Sequence, residues 1–112
     1  MIKMTEVVIC GYARSAFTPA KKGQLAKVRP DDLAAEVVKG LVAKNKINAE
    51  DIEDLILGCA FPEAEQGMNL ARNVVFLAGL PNQVGGVTVN RFCASSMQAI
   101  PQAVGAIKSG SG

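Results

Sequence analysis

Residues 86–100 read Gly-Val-Thr-Val-Asn-Arg-Phe-Cys-Ala-Ser-Ser-Met-Gln-Ala-Ile. Val87-Thr88-Val89 has the composition of a short strand, and the chain passes almost directly from it into a helical pattern predicted over Cys93 to Lys108. A cysteine therefore stands where a strand gives way to a helix. A thiol there faces unpaired N–H groups and the positive end of the helix dipole, which favour the reactive thiolate. The small residues Ala94, Ser95 and Ser96 leave room for a substrate, and the first-turn amides are suited to steadying an oxyanion. The same position also suits a small buried hydrophobe opening a core helix, because free cysteine is commonly buried and inert. Spacing alone leaves both readings open.

Working outward, the same alternation of strand and helix recurs. Glu6 to Tyr12 contains Val7, Val8, Ile9 and Cys10 without interruption, the pattern of a first strand covered on both faces. Thr18 to Arg29, with Lys21, Lys22, Gly23 and Lys27, is a polar surface loop that ends at Pro30. Pro30 suits the first turn of a helix predicted to reach Asn45, with Leu33, Val37, Leu41 and Val42 at helical spacing and Asp31 and Asp32 at the positive end of its dipole. Asn48 is placed to cap a short helical turn. Asp54 to Ala60, with Leu55, Ile56 and Leu57, is a second buried strand closed by Phe61-Pro62. Asn69 to Gly79 puts Leu70, Val74, Leu77 and Ala78 on one helical face, with Gly79 and Pro81 ending it. Strand, helix, strand, helix, strand, helix predicts an α/β fold with a mainly parallel sheet and helices on both faces. Within the last helix Pro101 removes a backbone hydrogen bond and is expected to kink it.

At 112 residues the chain is the size of one domain, 1–112, and nearly half of it is apolar with 20% charged, which excludes a disordered chain. The closing Ser109-Gly110-Ser111-Gly112 reads as a turn toward a strand that does not follow, so the expectation is a fragment of a longer protein, its domain incomplete at the C-terminal end. Twelve basic and ten acidic side chains give a net charge of +2 and no reason to expect nucleic acid as a partner. Cys10, Cys59 and Cys93 lie far apart with no Cys-x-x-Cys spacing, which disfavours a disulfide framework or a zinc site. With no signal-like N-terminus and no apolar run of membrane-spanning length, the expected location is the cytoplasm.

Three segments together resemble the thiolase family. Val-Val-Ile-Cys-Gly-Tyr-Ala-Arg-Ser-Ala-Phe at 7–17 is similar to its first strand and loop, and Glu-Gln-Gly-Met-Asn-Leu-Ala-Arg at 65–72 to the entry of its second helix. Val-Thr-Val-Asn-Arg-Phe-Cys-Ala-Ser-Ser-Met-Gln-Ala-Ile at 87–100 is similar to its nucleophile segment. They occur in the family's order and reach from Thr5 to Lys108. The resemblance implies a thiolase-like α/β fold, of which this chain supplies part of the N-terminal half. It implies that Cys93 attacks an acyl-CoA carbonyl to form an acyl-enzyme, with its own backbone N–H helping to hold the thioester oxygen. The Asn-Arg-Phe-Cys-Ala-Ser-Ser-Met form and residues 62–67 resemble the degradative 3-ketoacyl-CoA thiolases of fatty-acid β-oxidation. Those use coenzyme A as a substrate, hold no permanently bound cofactor and need no metal. The family is also expected to assemble as homodimers or tetramers. Thiolases add a histidine and a second cysteine from their C-terminal half, and this sequence contains no histidine. Gly85-Gly86 stand where the family commonly has a proline.

Two other readings remain in view. A ketoacyl synthase shares the fold and also places a cysteine at a helix start, although the segment around Cys93 argues against it. A non-catalytic CoA-binding or interaction fragment fits the missing histidine. Among the remaining candidates, Cys10 and Cys59 are expected in the core, as are Met68 and Met97 rather than at an acyl pocket. The basic run from Lys21 to Arg29 is expected to be a solvated loop rather than a phosphate grip. Asn69 is expected to cap the second helix, with Arg72 beside it.

Overall fold

The computed structural model describes residues 5–112. Helix α1 runs Pro30–Lys44, strand β1 Asp54–Gly58, helix α2 Leu70–Leu77, strand β2 Gly85–Val89 and helix α3 Ser95–Ser109, with single 3₁₀ turns at Ala49–Asp51, Ala64–Gln66 and Phe92–Ala94. The two strands pair in parallel, from Asp54 opposite Gly85 to Gly58 opposite Val89. Parallel neighbours cannot be joined by a tight turn, and α2 lies in the crossover between them. The ladder is extended at one end by the Gly85 N–H donating to the Glu53 carbonyl at 2.8 Å. At the other the Cys59 N–H donates to the Val89 carbonyl at 2.9 Å.

Side-chain alternation along β1 divides the helices between the two faces of the sheet. Leu55 and Leu57 pack with Ala34, Ala35, Val38, Leu70 and Val74, so α1 and α2 cover one face. Ile56 points the other way, into an open groove shared with Ala99, Ile100 and Ala103 of α3. The expected α/β arrangement with helices on both faces is therefore present.

The covered face holds the core. Val74, Val75 and Val84 are fully enclosed, and each contributes roughly 2 kcal/mol relative to an exposed side chain. The apolar face of α2 is rotated from the expected one. Ala71 and Val75 are buried with Leu70 and Val74, whereas Leu77 is exposed.

Local chemistry sets the ends of α1. Pro30 occupies the first turn, and Asp31 accepts hydrogen bonds from Arg29 Nε at 3.1 Å, Arg29 Nη2 at 2.8 Å and its neighbour's N–H, Asp32, at 2.9 Å. The hydrogen bond from the Arg29 guanidinium, helped by the Asp32 N–H, holds the Asp31 carboxyl below its ordinary 3.8 against the opposing effect of burial. Arg29 also meets Glu65 at 3.4 Å, tying the start of α1 to the turn at Ala64–Gln66. Asn48 caps its turn as expected, accepting from the Glu50 N–H at 3.3 Å. Helix α3 continues through Pro101 without ending there.

The expected first strand is not formed. Residues 5–19 carry no regular secondary structure, and Val8 and Ile9 are 76% and 83% exposed. The segment instead lies against the C-terminal end of α1. Lys44 Nζ donates to the Tyr12 carbonyl at 3.3 Å and stands 4.6 Å from its ring centroid. An apolar run becomes a strand only when a neighbouring edge takes its backbone N–H and C=O groups, and the two strands that pair in the sheet are β1 and β2. Cys10 is consequently exposed rather than in the core, while Cys59, one residue past β1, is buried as expected.

Candidate active site

Cys93 belongs to the 3₁₀ turn Phe92–Ala94 and is exposed. The α-helix begins two residues later, at Ser95, which corrects the expected start at Cys93. The cause lies one residue before the thiol. Phe92 has φ +48°, the left-handed region that a bulky aromatic rarely enters, and this turns the chain sharply between strand and helix. Such a conformation costs roughly 1–2 kcal/mol and persists where its surroundings hold it.

Several bonds hold it. Asn90 Oδ1 accepts the Phe92 N–H at 2.8 Å. Ser95 Oγ accepts the Arg91 N–H at 2.9 Å and donates to the Phe92 carbonyl at 2.6 Å. Within the turn, the Ala94 N–H donates to the Arg91 carbonyl at 3.0 Å, and the Ser95 N–H to the Phe92 carbonyl. The Cys93 N–H has no acceptor among the described residues. Gly58 ends β1 directly beneath, and a Cβ there would collide with the backbone of Ser95 and Ser96. The C-terminal end of the strand and the first turn of α3 thus meet at backbone distance, which fixes the height of the turn above the sheet.

Phe92, next to the cysteine in the chain, faces Phe61 with ring centroids 6.4 Å apart, tilted by 55°, and both residues are more than half exposed. Met97 is 74% and Met68 92% exposed, so neither packs in the core as expected. The groove of about 900 Å³ between β1 and α3 runs along the flank of the helix and is lined by Ser96, Ala99 and Ile100 but not by Cys93.

The entry of α2 is built differently from its sequence expectation. Asn69 makes no side-chain cap. Its Nδ2 donates to the Gly86 carbonyl at 2.8 Å and its Oδ1 accepts the Thr88 hydroxyl at 2.8 Å, while Thr88 Oγ1 accepts the Ala71 N–H at 3.0 Å. The helix start is capped from β2, across the sheet. Arg72 donates to the carbonyls of Val84 and Asn82 and stacks on Phe76 at 4.3 Å, so its role is to hold the connection into β2. In the basic loop Lys21, Lys22 and Lys27 are exposed as expected. In the sequence Ser95 stands out only as a small residue, yet its hydroxyl, two residues beyond the cysteine, reaches the turn before it.

Among the described residues, no group of histidine, cysteine, aspartate and glutamate is placed to hold a metal ion. No helix there is long and apolar enough to cross a membrane.

Comparison with known proteins bears on the same region. Residues 7–112 match the family model for the thiolase N-terminal domain. The chain is 50% identical over 107 residues to a 3-ketoacyl-CoA thiolase of Acinetobacter baumannii (strain AYE), covering 96% of this chain and 27% of that protein. It is 53% identical over 100 residues to a 3-ketoacyl-CoA thiolase of Bacillus subtilis (strain 168), covering 89% of this chain and 26% of that protein. The crystal structure of a Bacillus anthracis acetyl-CoA acetyltransferase superposes with a TM-score of 0.87 at 34% identity, over 96% of this chain and 27% of that one. The chain thus spans about a quarter of the length of the relatives it matches. With the family model matching residues 7–112 and half of its residues identical to those of two 3-ketoacyl-CoA thiolases, the chain belongs to the thiolase family, whose N-terminal domain it matches.

Proposed function

We propose that this chain is the nucleophile-bearing part of an acyl-CoA acyltransferase acting on 3-ketoacyl-CoA. In the reaction, the Cys93 thiolate adds to the 3-keto carbonyl, the bond between C2 and C3 breaks, and acetyl-CoA leaves after protonation at C2. The acyl group held as a Cys93 thioester then passes to the sulfur of a second CoA, restoring the thiol. The observation that carries this reading is the exposed thiol of Cys93 on a turn whose own N–H is uncommitted, at the end of a strand and the start of a helix. That N–H is a donor for the oxygen that becomes negative when the thiolate adds.

Acid–base assistance to Cys93 would come from the part of a thiolase that this chain does not span, since the sequence has no histidine and Cys59 is buried. Coenzyme A is thus substrate rather than resident cofactor. The names of two similar relatives, both 3-ketoacyl-CoA thiolases, support 3-ketoacyl-CoA as the substrate class, and on that reading the reaction belongs to fatty-acid degradation. Exposed Phe61, Phe92 and Met97 suit a homo-oligomer that covers them.

Acyl-enzyme trapping tests the proposal. The chain, alone and joined to the remainder of the Bacillus subtilis thiolase, is incubated with acetyl-CoA or a 3-ketoacyl-CoA, and the added acyl mass is located by peptide mass spectrometry. Acylation confined to Cys93, and abolished by Cys93→Ala, is expected at least in the joined protein. Acyl mass on another cysteine, or thiolysis that survives Cys93→Ala, overturns it. A joined protein that takes no acyl group identifies instead a non-catalytic module.

A further inference from the structure

Resting on the reading of Cys93 as the acyl acceptor, we propose that Ser95 is the positioning residue of the reaction, holding the thiol by clamping the turn in front of it. A buried hydroxyl must find partners, and Ser95 is 3% exposed. Both of its partners lie before the cysteine, so that Cys93 and Ala94 are enclosed between the Ser95 side chain and the Arg91 and Phe92 groups it binds. A serine serving its helix as a cap would accept an N–H further along the helix. Ser95 reaches backward, and α3 has no side-chain cap. Its hydroxyl therefore serves the turn rather than the helix.

What it holds is the one left-handed residue of the turn. Asn90 Oδ1 takes the N–H of Phe92 and Ser95 Oγ takes its carbonyl, so both ends of the φ +48° residue are gripped by side chains. The clamp also has a fixed base, because Gly58 lets the Ser95–Ser96 backbone rest directly on the end of β1. Without the Ser95 hydroxyl, Phe92 keeps the Asn90 bond at its N–H and the Ser95 amide at its carbonyl, but the turn loses its tie from Arg91 to Ser95 and gains room to relax toward negative φ, which shifts Cys93 and its uncommitted N–H together. A displacement of about 1 Å at a reacting atom is enough to cost on the order of 100-fold in rate.

The test is single-turnover acylation of Cys93 by acetyl-CoA, in the chain alone and joined to the remainder of the Bacillus subtilis thiolase. Ser95→Ala is expected to slow acylation by about 10- to 100-fold while the acetyl-CoA concentration for half-maximal rate stays within about twofold. Asn90→Ala, which loosens the same residue from an exposed position, is expected to act in the same direction and more weakly, and it carries the test if Ser95→Ala does not fold. Val75→Ala is the control for stability alone, because it opens the core beneath α2 and leaves the turn untouched. It should lower the melting temperature and keep the acylation rate. If unaltered protein acylates Cys93 and Ser95→Ala (or, should that not fold, Asn90→Ala) matches its rate, the clamp is overturned while the catalytic reading stands. The clamp also falls if Val75→Ala slows acylation as much as Ser95→Ala. If unaltered protein leaves Cys93 unmodified, the catalytic reading itself has failed.

Discussion

The two faces of the sheet meet their helices through the same residue type with different results. Gly86 on the α2 face and Gly58 on the α3 face each let a helix backbone come to a distance that no other residue allows. Beneath α2 the approach closes over Ala71, Val74 and Val75, which are completely enclosed. Beneath α3 it closes over Ser95 and Ala99, and further along the helix Ile100 and Ile107 remain 56% and 40% exposed over the open groove. One face supplies stability, and the other spends its close contact on fixing a turn. A site can therefore be rigid without being deeply buried, provided that backbone rather than side-chain packing supports it.

The largest expected effect on this contrast comes from Gly86→Ala. A Cβ there would lie 2.6 Å from the Arg72 N and 2.7 Å from its Cα, backbone atoms that cannot turn aside. Urea denaturation should show a loss of about 3 kcal/mol. An unchanged midpoint would mean that α2 shifts freely and that the covered face is not close-packed. Next, Val74→Ala should cost about 2 kcal/mol in the same measurement, from lost burial and the cavity left behind. Ile100→Ala on the α3 face should cost less than half as much, and equal costs would erase the distinction between the faces.

Thr88→Val removes the hydroxyl that caps α2 from the strand, leaves the Ala71 N–H without its partner and should cost about 1 kcal/mol. The smallest effect belongs to Asp31. Because its folded value is depressed, it stabilises the fold above the unfolded carboxylate range, and that contribution fades as pH falls from the ordinary 3.8 through the lower folded value. Asp31→Asn should therefore lower the melting temperature at neutral pH and reduce its decline on acidification. A parallel decline in both proteins would remove Asp31 from the account.

Much of this architecture is legible in the sequence because its signals are local. Pro30 with two aspartates marks the start of α1, Asn48 marks its turn, and the apolar runs at 55–57 and 87–89 are strands. What escaped depends on partners distant in sequence. Val7 to Cys10 has as good an apolar run as β1 but is not paired in the sheet, so it stays outside. Asn69 has the right identity for a cap, yet Thr88, nineteen residues on, occupies that role and Asn69 braces Thr88 instead. At the site, the place of Cys93 between strand and helix was legible, but that place alone left nucleophile and buried residue both open and only the resemblance to thiolases favoured the first. The two-residue delay of the helix follows from the left-handed Phe92, which no propensity of phenylalanine foretells.

The parallel register of β1 and β2 has a kinetic consequence. Its ladder cannot start from a hairpin, because the paired residues lie roughly 30 apart in sequence and the loop between them must close first. Nor can α2 lead, since its eight residues are too few to persist alone in water. Strand pairing and helix docking must therefore arrive together as one cooperative unit, and Asn90, immediately after β2, is attached to its end. Opening of that unit releases the turn that carries Cys93. Amide hydrogens of β2, of α2 and of Phe92 should consequently exchange with solvent through one shared opening event, while those of residues 5–19 exchange ahead of all of them.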